Sequence, residues 1–181
     1  MKKYLKLISI GIFISLISCS DSNDSNTSNP IPSNDSFLPM SIGNYWKNNE
    51  ENFTEIRDTL RIQGDLYYEF YSLIGGDGVS IEYLRIDENQ NLIGSYPNNP
   101  DFKYIHAKFN EQLGSTFWTI NDQSVNDFKT TVIEKEDSSI AFEFQRVYHP
   151  NAKDKHIVKY VRGLGWNNFN EIKIDEDLFK F

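Results

Sequence analysis

From Phe37 onward apolar and polar residues alternate with a period of two, the mark of strands with one buried and one solvated face. Ile56, Asp58, Leu60 and Ile62 interleave with Glu55, Arg57, Thr59 and Arg61. Leu66, Tyr68 and Phe70 oppose Tyr67, Glu69 and Tyr71. Glu82, Leu84 and Ile86 interleave with Ile81, Tyr83 and Arg85, and Ile140, Phe142 and Phe144 with Ala141, Glu143 and Gln145. Further strands are expected at 45–51, 103–109, 116–120, 130–135, 156–161 and 169–174. Between them lie turn-forming runs: Gln63-Gly64-Asp65, Gly75-Gly76-Asp77-Gly78, Asp87-Glu88-Asn89-Gln90-Asn91 and Glu136-Asp137-Ser138. Short connections and the lack of a regular helical spacer predict an all-β domain. The expected form is a single antiparallel meander curved into a roll or partly open barrel. One stretch fits two periods. Phe102, Ile105, Phe109 and Leu113 make a helical stripe closed by Gly114, yet 104–109 also alternates, and strand is the reading taken.

The start of the chain follows a different pattern. Lys2, Lys3 and Lys6 precede an apolar run over 7–17, too short for a transmembrane helix. The run ends in Leu16-Ile17-Ser18-Cys19, which resembles a bacterial lipobox. The resemblance implies that residues 1–18 are a signal peptide removed before Cys19, which becomes the acylated first residue. Cys19 is the one cysteine of the chain, so no disulfide is expected. Two or three acyl chains, as such lipoproteins carry, would hold the protein firmly, since one chain alone binds marginally. Residues 20–36, SDSNDSNTSNPIPSNDS, have almost no apolar content and read as a flexible tether. Asp21 and Asp24 partly resemble the acidic export signals of surface lipoproteins. The expected address is the bacterial cell envelope, at the outer membrane, with periplasmic face and cell surface both open.

Composition narrows the partners. The formal charge is −8. Loss of the signal removes three lysines and no acids, leaving 15 Lys and Arg against 26 Asp and Glu, or −11. An acidic chain without a basic cluster argues against nucleic acid and against docking on anionic lipid by charge. Residues 37–181 suit one domain with a single core. The abundance of aromatics, 14%, favours strands.

Two segments repeat loosely: Leu38-Pro39-Met40-Ser41-Ile42-Gly43-Asn44-Tyr45-Trp46 and Glu111-Gln112-Leu113-Gly114-Ser115-Thr116-Phe117-Trp118. A third landmark, Tyr160-Val161-Arg162-Gly163-Leu164-Gly165-Trp166, lies near the end. Together, the G-N-x-W, G-x-T-x-W and Y-x-x-G-x-G steps resemble a group of uncharacterised, exported β-rich bacterial lipoproteins. The Asp58–Gly64 run with Tyr67-Tyr68 is similar to the strand pair that follows the opening in that group. The resemblance spans most of 38–166 and implies a fold and an envelope address, with no activity. Where the group more often has valine or leucine, this chain has Trp166.

Residue chemistry supplies little more. Glycines beside the Trp landmarks suit positive φ or close backbone approach, and Trp46 and Trp118 read as core anchors. Trp166 is the exception, a candidate ligand platform together with Tyr67, Tyr71 and Tyr83. These tyrosines, with Tyr104, fall on the more polar side of their strands, where they also serve as ordinary cross-strand partners. Asp87, Asn89 and Asn91 copy the start of a calcium loop, but Leu92 stands at its required glycine and Asn98 at its terminal glutamate, so a hairpin turn is expected. His106, His149 and His156 form no HxH or HxxxH pair, so no metal is expected. No cofactor loop and no G-x-S-x-G elbow occur, and no acid pair stands out among the 26 acids. The sequence therefore points to a non-enzymatic binding or interaction module with an unidentified protein or glycan ligand. Its alternatives are a glycan-binding accessory protein using exposed Trp and Tyr, and a hydrolase with an acid pair.

Overall fold

The alternating pattern folds into thirteen strands over residues 35–150 and 154–181, which the computed structural model describes. The lipobox and the tether up to Asn34 lie outside the described residues. Strands β1 (Tyr45–Asn49), β2 (Asn52–Ile62), β3 (Asp65–Ile74), β4 (Gly78–Ile86), β5 (Asn91–Tyr96) and β6 (Asn99–Lys108) form an antiparallel meander. The chain then enters a second sheet: β7 (Thr116–Trp118), β8 (Phe128–Lys135), β9 (Ser139–Arg146), β10 (Lys155–Val161) and β11 (Gly165–Trp166). Finally β12 (Glu171–Ile174) and β13 (Asp177–Lys180) return to the first sheet beside β1. The sheet orders are β13-β12-β1-β2-β3-β4-β5-β6 and β11-β10-β9-β8-β7. The domain is thus all-β and antiparallel, and its sheets do not close into a barrel. The edges approach where the Ile105 amide donates to the Thr119 carbonyl, 2.8 Å away. Among the described residues no helix is long and apolar enough to cross a membrane.

Both sheets feed one core. Trp46, Ile56, Phe70, Leu84, Leu92 and Ile172 come from the first, and Val132, Ile140, Phe142, Phe144 and Tyr160 from the second. Each such side chain contributes roughly 1.5–3 kcal/mol by burial. Phe37, Leu38 and Met40 join the core ahead of β1. The fold takes hold of the chain two residues earlier still. The Gly163 amide donates to the Ser36 carbonyl at 2.8 Å, and Arg162 to that of Asp35 at 2.7 Å.

The landmark motifs have a shared structural reason. Gly43 turns at φ +91° and places Asn44, which is fully buried. Asn44 Nδ2 donates to the Pro39 carbonyl at 3.2 Å, and its Oδ1 accepts the Asp175 amide at 2.7 Å. One side chain thereby ties the opening to the β12–β13 turn. Trp46 is fully buried and donates Nε1–H to the Leu164 carbonyl at 2.7 Å. Gly165, at φ +82°, lies against it. A Cβ there would stand 2.9 Å from both Trp46 and Leu38, so the first and last landmarks require each other.

The strand reading of the ambiguous stretch over 102–113 holds: it is strand to Lys108, and Gly114 (φ +82°) belongs to the turn before β7. Three other expectations need correction. Strands β5, β11 and β13 were not foreseen; β5 begins at Asn91, which reads as part of a turn, and carries Gly94, a weak strand former. In β2 a bulge between Ile56 and Asp58 changes the facing residues. Ile56 pairs Phe70, but Leu60 pairs Tyr67 and Ile62 pairs Asp65, so Leu60 and Ile62 leave the inner face. Trp118 is not a core anchor. Phe117 takes the buried position of β7, and Trp118 is half-buried, stacked on Tyr148 with centroids 5.4 Å apart.

Candidate functional site: the polar end of the inner face

Strand register assembles the site. Across the first sheet, inner-face neighbours form rows: Trp46–Thr54–Ser72–Ser80, Ile56–Phe70–Glu82, and Tyr68–Leu84–Gly94–Tyr104. The first two rows begin apolar and end polar. Thr54 and Ser72 satisfy each other through their hydroxyls at 2.8 Å. Glu82 has no such partner: no hydrogen-bond donor or cation among the described residues meets its carboxylate. It is partly exposed, so its oxygens open onto space rather than into packed side chains.

That space consists of two pockets that share Glu82. The larger, about 520 Å³, is lined by Tyr96, Phe102, Tyr104 and His106 from β5 and β6, and by Ile120, Asp122, Ser124 and Asn126 from the loop after β7. The smaller, about 380 Å³, is lined by Thr54 and Ser72, by Val158 and Lys159 of β10, and by Trp166, Asn168 and Phe169. Trp166 shows an edge to the core, 4.9 Å from Trp46 and 5.8 Å from Phe70 between centroids. Its indole N–H is held by the Tyr160 hydroxyl.

Burial governs the electrostatics. Desolvation raises the pKa of Glu82 above the usual carboxylate value. Desolvation also lowers His106 to about 4, so its imidazole is neutral at neutral pH. His106 lies over Gly94, where a Cβ would come within 2.8 Å of its Nε2, and against Tyr104 at 4.6 Å. Burial likewise raises Tyr104, against a hydrogen bond with the Thr119 side chain. Lys159 is engaged elsewhere, with Glu134 at 2.5 Å.

The wall formed by residues 119–127 is built around a single buried carboxylate. Asp127 accepts the Ile120, Asp122 and Gln123 amides at 3.0–3.2 Å and the Thr119 hydroxyl at 3.2 Å. Desolvation pushes the Asp127 pKa up, but these donors outweigh it and hold the group below its usual value. Asn121 and Gln123 take positive φ within this run.

Of the candidate ligand residues, the structure puts only Trp166 on this cleft with its ring. Tyr67, Tyr71 and Tyr83 pair on the opposite, outer face. Tyr67 is fully buried and takes a hydrogen bond from Lys103 at 3.1 Å, so it offers no platform. Tyr71 is capped by the Arg57 guanidinium, 3.3 Å from its ring centroid. Tyr83 belongs to the run of β4 that borders the larger pocket, but its hydroxyl bonds Glu69 at 3.2 Å on the outer face. Tyr104 departs from the others. Its pairing with Gly94 turns it to the inner face, because bulges in the β5–β6 ladder reset the alternation. Sequence reasoning missed Glu82 and His106. The signal for Glu82 was present: an acid in register with Leu84 and Ile86, on the apolar side of its strand.

The Asp87 run is a hairpin turn, as expected from its sequence. Asp87 accepts the Asn89 and Asn91 amides at 3.0 and 2.7 Å. Among the described residues no three His, Cys, Asp or Glu side chains gather as a metal site would require. No family model, curated protein or solved structure matches this chain.

Proposed function

We propose that this chain is a lipid-anchored envelope protein that acts by binding, non-enzymatically, and that its ligand enters the two pockets meeting at Glu82. The observation that carries this reading is a carboxylate without a partner among the described residues, on the inner face of a sheet, with aromatic rings on both sides. Keeping a charge partly desolvated and unpaired costs stability. A fold retains that cost where a ligand later offsets it. Concave, ring-lined spaces with a few polar groups are the usual form of small-ligand sites. Asp122, the other acid of the larger pocket, is turned into its own loop and accepts the Ser124 amide at 2.9 Å. That leaves a hydrolytic acid pair without support.

A glycan ligand is the second reading, favoured by Trp166 beside Asn167 and Asn168 in the smaller pocket. The anchor rests on Leu16-Ile17-Ser18-Cys19. Cys19→Ala should move the protein from the membrane to the soluble fraction, and firm retention in the membrane would remove the anchor from the proposal. The site is tested by following Tyr104, Trp118 and Trp166 resonances during titration with a fragment library containing mono- and disaccharides. Ligands should shift Tyr104 and Trp166 and leave Trp118 in place. Shifts confined to Tyr71, Tyr83 or Trp118 would move the site to the outer surface.

A further inference from the structure

We infer that the ligand of this cleft carries an organic cation, an alkylammonium group seated on the Glu82 carboxylate between the aromatic rings of the two pockets. The inference rests on the binding reading above and specifies its chemistry. Glu82 is the one charged group shared by both pockets. Among the described residues it has no counter-ion: Lys159, which lines the smaller pocket, is consumed by Glu134 at 2.5 Å. His106 supplies none either, since burial keeps its ring neutral at neutral pH. Tyr96, Tyr104 and Asp122 add no positive charge, and Arg146, the cation that Tyr104 feels, lies over the Phe128 ring at 5.2 Å and does not act on Glu82.

The rings favour the same sign. Tyr96 and Tyr104 lie near enough to feel the charge of Glu82, and Trp166 lines the other pocket. Aromatic faces are negative and attract an ammonium or trimethylammonium group, more strongly where water is excluded. A cation therefore gains the carboxylate and the rings together. A neutral sugar could stack on the rings and donate hydroxyls, but would leave the charge in place. An anion would meet an unpaired carboxylate. The volume of the larger pocket, about 520 Å³, accommodates a metabolite-sized amine.

The test uses the full chain in a non-ionic detergent, titrated calorimetrically with choline, with cadaverine, and with the neutral isostere of choline whose tert-butyl group replaces trimethylammonium. At least one amine should bind and shift the Trp166 and Tyr104 resonances. The isostere should bind about tenfold more weakly or worse. Glu82→Gln should weaken the amine by about tenfold or more. The same variant without ligand should melt at a higher temperature than the wild type, which shows that it folds and that the carboxylate is kept at a cost. At mildly acidic pH, binding should release protons, read from calorimetry in two buffers of different ionisation heat, because a bound cation draws the raised pKa of Glu82 down. Equal affinity for the isostere, or unchanged affinity in Glu82→Gln, would overturn the cation. If a saccharide shifts Trp166 while no amine does, the cation is overturned and the binding reading survives. If no probe moves Trp166 or Tyr104, both fall.

Discussion

At the scale of the residue, three tryptophans in similar motifs have different roles, and their substitution should separate them. Trp46 is fully buried and hydrogen-bonded. Trp46→Ala should cost about 3–5 kcal/mol, a large share of a domain's stability. Trp118, half-buried on Tyr148, should cost only about 1 kcal/mol, the scale of one exposed aromatic pair. Urea melts of the two variants measure the difference, and equal losses would place Trp118 in the core after all. His106 carries a second prediction. Its folded pKa of about 4 lies below the ordinary 6.5, so the unfolded chain takes up the proton first as pH falls. The contribution of His106 is complete above about 6.5 and is lost progressively toward about 4, reaching about 3 kcal/mol at most. Other groups titrate nearby: Asp127 loses stability at lower pH in the same direction, while Glu82 works in the opposite one. The difference between wild type and His106→Gln, in urea melts at about pH 7 and about pH 5, isolates the histidine. That difference should shrink on acidification.

At the scale of the element, the loop over 119–127 shows how a segment without regular structure becomes a wall. Its backbone amides converge on one carboxylate, in place of a sheet ladder. Asp127→Asn removes the charge and turns one oxygen into a donor facing donors. The loss should be about 2–3 kcal/mol, since bonds to a charged acceptor are the stronger kind. Amide hydrogen exchange gives the sharper reading: Ile120, Asp122 and Gln123 should exchange much faster, with β9 little changed. Uniformly faster exchange would mean that Asp127 supports the whole fold rather than the wall. The bulge in β2 is the counterpart within regular structure. One inserted residue, Arg57, moves Leu60 and Ile62 off the inner face and sends its own guanidinium over Tyr71.

At the scale of the whole molecule, two sheets share one core and are linked by aromatic contacts between them. Phe109 meets Phe142 and Tyr160 at 6.4 and 5.1 Å, and Trp166 meets Phe70 at 5.8 Å. Neither sheet can lose its inner face without exposing the other, so unfolding should be a single transition. Phe142, fully buried in β9, tests this. Phe142→Ala should lower the melting temperature seen by far-UV circular dichroism and by tryptophan fluorescence to the same degree. Trp46 lies in the first sheet and Trp118 and Trp166 in the second, so two fluorescence transitions, with only one of them lowered, would reveal two independent units.

The chain's own pattern determined that the domain is all-β and antiparallel, where most strands lie, and that Trp46 is core, because each follows from side chains alternating every two residues or from one residue's size. The glycines of the landmarks were legible for the same local reason: positive φ is written in residue type. What the tertiary structure decided is everything that depends on pairing between distant residues. Bulges in β2 and β6 reassigned faces that simple alternation had given to Leu60, Ile62 and Tyr104. Burial removed Tyr67 from the surface, and Arg57 and Glu69 occupied Tyr71 and Tyr83. Glu82 shows the division most clearly. Its sequence position revealed an acid on an apolar face, but only the packing of the second sheet decides whether such an acid meets a counter-charge, water or an open cleft. Here it meets the cleft, because its row is apolar only as far as Phe70 on β3, and Glu82 on β4 borders both pockets.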